Sequence, residues 1–240
     1  NQGRYKEAEQ LLKKALAGAQ YWKPDDEWRL YYTGTLARAY TGQGRYKEAE
    51  QVYETILKKM YKVAGEDDNE TLNIKDGFAK LRLHQGNYDQ AEEMLVETME
   101  TRKRRWGSQH TRTLVSMNNL AVLRTIQERY DDANAMFVEV LKARQQKLGE
   151  DHPSTLETIH CLGVLRREQQ QHEEAESLLR QALDGRKHKL GKDHPSCFEA
   201  IHELAVLYKE QGDYDKAEPL FIAAVEGRLL KLGDTHPHTI

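Results

Sequence analysis

The sequence predicts an all-α fold, a solenoid of antiparallel helix pairs. Three observations favour it: a period of 42 residues, apolar residues at about one per helical turn, and an abundance of the helix formers Ala, Leu, Glu, Gln, Lys and Arg. Charged residues make up 31% of the 240 residues, and the mean hydropathy is -0.84. A thin assembly of repeats fits these values better than a compact globule does.

The period divides the chain into successive repeats. Residues 1–26 match only the second half of a repeat. The complete repeats span 27–68, 69–110, 111–152, 153–194 and 195–236, and residues 237–240 begin a further repeat. We therefore predict one continuous array over 1–240 that is incomplete in its first and last repeats.

Each repeat is predicted to contain two helices, and residues 153–194 show this best. Apolar residues of the first half fall on one helical face: Leu156, Ile159, Leu162 and Leu165. Gly163 in the same helix leaves room for the close approach of a neighbouring helix. After a polar turn, the second half carries its own apolar face, and Gly191 ends that helix.

Three positions recur in every complete repeat. Each first helix has a large apolar residue followed by a small one, at 36–37, 78–79, 120–121, 162–163 and 204–205. Each second helix has an alanine near its start: Ala49, Ala91, Ala133, Ala175 and Ala217. A glycine follows each second helix, where a chain reversal requires positive φ: Gly65, Gly107, Gly149, Gly191 and Gly233.

These motifs resemble those of the tetratricopeptide repeat, which pairs Leu-(Ala/Gly) in a first helix with Gly-x-Tyr-x-x-Ala before the second. The linkers at 148–153, 190–195 and 232–237 are similar to those of the long-repeat, kinesin light chain-like branch. The resemblance covers almost the whole chain and is strongest over 111–240. It implies a right-handed superhelix whose concave face, lined by first helices, binds peptides or protein segments.

The resemblance also implies which residues line that groove. The family's concave positions correspond to Tyr31, Gly34, Arg38, Asn73, Asp76, Lys80, Val115, Asn118, Val122, Glu157, His160, Val164, Glu199, His202 and Val206. On each first helix they follow an i, i+3, i+7 spacing, opposite the face that meets the second helix. Asn118 carries an amide that can bind a peptide N–H and C=O together. The charges predict an amphipathic ligand, acidic toward residues 31–80, apolar beside the valines, and basic toward residues 157–202.

A second charge feature lies in the last turns of the second helices. Basic residues recur there: Lys58, Lys59, Lys62, Arg102, Lys103, Arg104, Arg105, Arg144, Lys147, Arg186, Lys187, Lys189, Arg228 and Lys231. Cations there complement the negative end of the helix dipole, so we interpret them as helix-end stabilisers in preference to a nucleic-acid surface. Trp106 shares its position with Leu148 and Leu190, which predicts a core residue.

Composition narrows the partners and the compartment. A net charge of -3 gives no overall attraction to nucleic acid or an anionic membrane, and no apolar run approaches the ~20 residues of a membrane span. Cys161 and Cys197 lack metal-ligand or redox spacing, which favours reduced thiols in the cytoplasm. We expect a cytoplasmic protein, monomeric or part of a larger chain, that binds neither nucleic acid nor membranes.

No residue pattern predicts catalysis, a cofactor, a metal site or a small-molecule substrate. His160 and Cys161 are adjacent, but neighbouring residues on a helix diverge by about 100°, so the imidazole is badly placed to activate the thiol. His152, His194 and His236 recur once per repeat, on the order of 20 Å apart, which is too far to share an ion. A structural role in the linkers is favoured for these histidines.

Two classes of function remain. The first is a non-catalytic binding module that captures a segment of a partner protein in its groove, as the recognition or sensor part of a larger protein. The alternative is a structural scaffold that self-assembles through its convex face or its ends. A binding module is expected to stay monomeric until it meets its ligand, whereas a scaffold is expected to self-associate.

Overall fold

The computed structural model describes residues 2–18, 21–23 and 25–232. Within these ranges the chain forms eleven α-helices and no strand, which confirms the predicted all-α fold. The helices are α1 (Gln2–Gly18), α2 (Glu27–Gly42), α3 (Tyr46–Val63), α4 (Asn69–His84), α5 (Tyr88–Trp106), α6 (Thr111–Ile126), α7 (Tyr130–Leu148), α8 (Pro153–Glu168), α9 (His172–Leu190), α10 (Pro195–Glu210) and α11 (Tyr214–Leu232). Gly233, His236 and the further repeat expected at 237–240 lie outside the described residues.

Helix starts keep the period seen in the sequence. The first helices of the five complete repeats begin at Glu27, Asn69, Thr111, Pro153 and Pro195, and the second helices at Tyr46, Tyr88, Tyr130, His172 and Tyr214. Three-residue turns join the two helices of each pair, so the partners run antiparallel. α1 stands where a second helix is expected.

The described residues divide into two compact units, the first made of residues up to 101 and the second of residues 102–231. In the first unit one apolar cluster joins α2, α3 and α4, and its members include Met60 and Ile74. At its centre the ring of Tyr53 stacks on that of Phe78 with centroids 5.4 Å apart. Gly77 permits this packing, because a Cβ there would lie 2.6 Å from the Tyr53 hydroxyl.

In the second unit apolar clusters fill the spaces within and between successive helix pairs. Phe137 and Leu162 belong to one cluster, and Leu179 and Leu204 to another. A Cβ at Gly163 would lie 2.8 Å from the Leu179 side chain and 3.2 Å from its backbone nitrogen. The close helix approach predicted at Gly163 is therefore confirmed.

The linker residue before each first helix caps that helix. In the first unit Asp26 and Asp68 accept hydrogen bonds from backbone N–H groups of the first turn. In the second unit His110, His152 and His194 do the same through Nδ1. The expected structural role is confirmed for His152 and His194, the two linker histidines that the structure describes.

Second helices end at glycines with positive φ, as the sequence predicts. Gly149 has φ 89° and ψ 165°, and Gly191 has φ 86° and ψ 150°. This region is essentially restricted to glycine. The turns inside the pairs also need positive φ, which Gly44, Gly86 and Gly212 supply, whereas Glu128 and Gln170 adopt φ 60° at the equivalent positions.

Candidate functional site

First helices of the second unit lie side by side, because α8 contacts both α6 and α10. An open cleft of about 440 Å³ separates α6, α7 and α8. Three of the predicted groove residues line it, namely Val122, His160 and Val164. Ile126 and Phe137 contribute further apolar surface. We call this space the apolar cleft.

A second cleft, of about 400 Å³, lies between the N-terminal parts of α8 and α10 and the end of α9. Its lining includes the predicted groove residues Glu157, His160 and Glu199. Arg186 of α9 and the α10 cap residue His194 also line it. We call this space the polar cleft. His160 and Cys161 line both clefts, so the two clefts meet on α8.

The imidazole of His160 is unusual because its Nδ1 atom is buried and, within the described residues, has no hydrogen-bond partner. Burial, with the positive charge of Arg186 as a second cause, lowers the pKa of His160 to about 3. The ring is therefore neutral at pH 7 and carries one acceptor nitrogen. A buried polar atom without a partner costs free energy that a bound group can recover.

Cys161 is chemically quiet. Burial raises the pKa of its thiol to about 12, with Glu157 adding to the shift. The thiol and the neighbouring His160 are both neutral at pH 7, the reverse of a thiolate and imidazolium pair. The pKa values agree with the sequence argument that these adjacent residues do not form a catalytic dyad.

Three of the predicted groove residues, Gly34, Asp76 and Asn118, are buried. Asn118 is only 3% exposed, and its Oδ1 accepts a hydrogen bond of 3.1 Å from Thr158 of the next first helix. The amide is thus occupied inside the protein, which corrects its predicted role as a peptide clamp. Asp76, in the first unit, is 8% exposed, because α4 is buried along most of its length.

Most of the remaining predicted positions are exposed or half-buried. In the first unit Tyr31, Arg38 and Lys80 are exposed, Asn73 is half-buried and Gly34 is buried against Ile74. In the second unit Glu157 and Glu199 are exposed, and Val115, Val122, His160, Val164, His202 and Val206 are half-buried. His202 also meets the ring of Phe221 edge-on, with centroids 5.6 Å apart. The clefts bring together only positions of α6, α8 and α10.

Sequence reasoning missed a set of buried arginines. The basic residues in the last turns of the second helices include Arg102, Arg144, Arg186 and Arg228, but these side chains are buried, with 1%, 2%, 4% and 8% exposed. They occupy one register position, which is Met60 in the first complete repeat. Because Met60 is apolar, its position in the register was the sequence signal that the four arginines are interior residues.

Three of these guanidinium groups, those of Arg102, Arg144 and Arg186, donate hydrogen bonds to the N-terminal part of a first helix. Arg102 donates to the Ser116 hydroxyl at 2.6 Å, and Arg144 donates to the Thr158 hydroxyl at 2.8 Å. Arg144 and Arg186 also donate to the backbone carbonyls of residues 154 and 196, both at 2.6 Å. These three arginines thus tie a second helix to the first helix of the next repeat, whereas Arg228 donates to the carbonyl of Phe198 in its own repeat at 3.5 Å.

Other basic residues in the last turns of the second helices are exposed, as expected for residues that stabilise helix ends. Lys103, Arg104, Arg105, Lys147, Lys187 and Lys189 are exposed. The side chain of Lys231 lies outside the described part. Trp106 is half-buried, so its predicted core position was wrong. Its indole packs on the ring of His110 at 5.2 Å, and the guanidinium of Arg112 lies 5.9 Å from its centroid.

The described residues contain no group of three or more His, Cys, Asp or Glu side chains that could hold a metal ion. No helix in the same part of the chain is long and apolar enough to cross a membrane.

Comparisons with known proteins agree with this architecture. The sequence profile described as tetratricopeptide repeat matches residues 1–62, 67–146, 118–188 and 154–229. Among curated protein sequences, none matches significantly. BtubC (BKLC) from P. vanneervenii superposes with a TM-score of 0.68 at 21% identity, over 95% of this chain and 92% of that one.

Two further solved structures are similar. A putative kinesin light chain from Podosopora anserina, with nearly identical TPR-like repeats, has a TM-score of 0.62 and 25% identity over 85% of this chain and 96% of that one. A Rap protein in complex with Competence and Sporulation Factor has a TM-score of 0.73 and 15% identity over 91% of this chain and 58% of that one. The profile match along most of the sequence, on a fold of paired helices in register, shows that this chain belongs to the tetratricopeptide repeat family.

Proposed function

We propose that α6, α8 and α10 bind a segment of a partner protein along the face that carries the two clefts. The observation that carries this proposal is that the apolar and polar clefts meet at His160, so one continuous segment can occupy both. This face is called the first-helix face below.

The apolar lining of the apolar cleft favours an apolar side chain of the partner segment as its occupant. Val122, Ile126, Val164 and Phe137 offer apolar surface, and Ile126 is exposed. Burying an apolar side chain here is favourable by roughly 25 cal/mol per Å² of area removed from water. The imidazole of His160 also lines this cleft and places a polar ring beside the apolar surface, which fits a peptide better than a purely apolar ligand.

The comparisons support the same function. Proteins built from tetratricopeptide repeats present extended surfaces typical of protein–protein interactions. The Rap protein of similar fold was solved in complex with Competence and Sporulation Factor. We extend this to a non-catalytic, cytoplasmic and monomeric binding module that serves as the recognition part of a larger protein.

A selection from a library of random 12-residue peptides displayed on phage tests this proposal. The selected peptides are titrated against the wild type and against a Val122→Thr, Val164→Thr double variant. Threonine keeps the shape of valine but adds a hydroxyl to the apolar cleft, so we expect about tenfold weaker binding. Thermal unfolding checks that both proteins remain folded.

The matched control places the same chemistry on second helices. Val138 and Ile222 are each 50% exposed, on α7 and α11, and the control is a Val138→Thr, Ile222→Thr double variant. We expect it to bind the peptides as the wild type does. The scaffold hypothesis rests on this exposed apolar surface. It replaces our proposal if only the control loses binding and light scattering shows that the wild type self-associates.

A further inference from the structure

We infer that the polar cleft binds an arginine side chain of the partner segment. This inference rests on the proposed function and names the chemistry of one part of the same face. The residues that carry it are Glu157, Glu199 and His160, which line the cleft from α8 and α10.

The charges that line the cleft favour a cation. Two carboxylates, Glu157 and Glu199, stand at the rim with about half of each side chain exposed, whereas the single guanidinium, Arg186, is buried. Arg186 is already engaged, because it donates to the carbonyl of Ser196 at 2.6 Å and lies 3.9 Å from Glu199. An incoming group therefore meets the two exposed carboxylates before it meets the buried cation.

Buried arginines also orient both carboxylates. Arg144 lies 3.4 Å from Oε2 of Glu157, and Arg186 lies 3.9 Å from Oε2 of Glu199. In each case the arginine contacts Oε2 of the carboxylate. A carboxylate has about four acceptor positions on its two oxygens, so both groups keep capacity for further N–H donors. Orienting an acceptor before the ligand arrives reduces the entropy lost on binding.

His160 adds a third acceptor. Its Nδ1 is buried without a partner in the described structure, and the ring lines the cleft beside both carboxylates. Because burial and Arg186 keep the imidazole neutral, it accepts an N–H without a second positive charge opposing the ligand. A donor that enters the cleft therefore meets the two carboxylates at the rim and a neutral imidazole beside them.

Arginine fits this set of acceptors better than lysine does. A guanidinium presents five N–H donors in a fixed plane and binds carboxylates with two bonds at once, whereas an ammonium is a compact, strongly hydrated charge. Three acceptors on two helices call for a planar donor with several N–H groups. We therefore expect a preference for arginine as well as for positive charge.

A series of capped peptides tests the inference directly. The probes are acetyl-Leu-Ala-Ala-X-Ala-amide with X as arginine, lysine or citrulline, titrated into isotopically labelled protein by NMR. Leucine supplies the apolar anchor, and citrulline keeps the shape of arginine without its charge. We expect the arginine peptide to bind at least fivefold more tightly than the citrulline peptide and about threefold more tightly than the lysine peptide.

Variants locate the effect in the cleft. A Glu157→Gln, Glu199→Gln double variant is expected to reduce the arginine peptide to the affinity of the citrulline peptide. His160→Phe is expected to weaken binding of the arginine peptide at least twofold. The matched control is Glu218→Gln, Glu226→Gln, which removes two exposed carboxylates from α11 and should change nothing.

Failure of the inference and failure of the proposed function give different results. If all three peptides bind equally and shift the resonances of Val122 and Val164, the inference is wrong and the proposed function stands. If no peptide shifts resonances of the first-helix face, both are wrong. Equal loss of arginine binding in the α11 control would show non-specific attraction and would also overturn the inference.

Discussion

The two units of this chain hold the same junction between repeats in different ways. In the first unit Met60 of α3 and Ile74 of α4 belong to one apolar cluster, and both are buried. In the second unit the equivalent of Met60 is a buried arginine. The equivalent of Ile74 is a hydroxyl residue in two cases, Ser116 with Arg102 and Thr158 with Arg144, and it is Ala200 in the repeat that follows Arg186. The fold thus tolerates an apolar or a charged side chain at the register position of Met60, and where no hydroxyl is present, as at Ala200, Arg186 donates to the backbone carbonyl of Ser196 instead.

This difference bears on function. Buried arginines in the second unit bring positive charge beneath the first-helix face. Arg144 lies next to Glu157, and Arg186 lies near Glu199 and helps to keep His160 neutral. Met60 in the first unit does none of this. The polar cleft therefore depends on the charged version of the junction.

Of the substitutions that test this difference between the two units, Met60→Arg is expected to change the free energy of unfolding most. It buries a guanidinium opposite Ile74, which has no hydroxyl to accept a hydrogen bond, so we expect about 3–5 kcal/mol of lost stability in urea unfolding. Met60→Leu is the control and should cost less than about 1.5 kcal/mol. Adding Ile74→Ser to Met60→Arg should recover at least about 1 kcal/mol. A Met60→Arg protein as stable as the wild type would show that the two junctions are interchangeable.

Arg144→Ala comes next. It removes three donor contacts and leaves a cavity under the start of α8, so we expect a loss of about 2–4 kcal/mol. Combining Arg144→Met with Thr158→Ile copies the apolar junction of the first unit and should recover most of that loss, as seen in other proteins when buried ion pairs are replaced by apolar residues. Equal destabilisation in both proteins would mean that the surroundings, not the pair, decide which junction is used.

The third prediction concerns pH. Unfolded His160 takes up a proton below its ordinary pKa near 6.5, whereas burial and Arg186 lower the folded pKa to about 3. Folding therefore loses stability as pH falls from 7 to 5, by about 1–2 kcal/mol for this residue. The measurement is the difference in urea unfolding between the wild type and His160→Gln at the two pH values. If the two proteins lose stability in parallel, His160 is not held neutral.

Gln170→Gly is expected to give the smallest effect and a gain. Gln170 has φ 60°, a conformation that Gly44 and Gly86 supply at the equivalent turns of the first unit. Relieving this strain should stabilise the second unit by about 0.5 kcal/mol, after the greater entropy of glycine in the unfolded chain is subtracted. Gln169→Gly, at a backbone with φ -81° that any residue can adopt, should destabilise instead. A loss in both variants would show that the Gln170 side chain has a role of its own.

Much of the fold was predictable because periodicity fixes it. The 42-residue spacing predicts every helix start, and the glycine and proline positions predict the linkers. Position alone could not reveal side-chain pairing. Asn118 has the spacing of a groove residue, yet Thr158 from the next repeat captures its amide. A contact between residues 40 apart depends on how repeats pack, which no helical pattern encodes.

The buried arginines are a second case in which sequence position does not reveal side-chain pairing between repeats. Arginine in the last turn of a helix complements the helix dipole, and this argument alone predicts that Arg144 and Arg186 stabilise helix ends. Their burial follows from acceptors supplied by the next first helix, namely the carbonyls of Ser154 and Ser196. In the described structure no such neighbour covers Val122 and Val164, and both line the apolar cleft.

The most direct test of the central claim is methyl NMR on valine-labelled protein with the tightest peptide from the phage selection. The claim predicts that the methyl groups of Val122 and Val164 shift and show intermolecular contacts to an apolar side chain of the peptide, while Val138 on α7 stays unchanged. Shifts and contacts at Val138, with Val122 and Val164 unchanged, would place the binding surface on the second helices and contradict the claim.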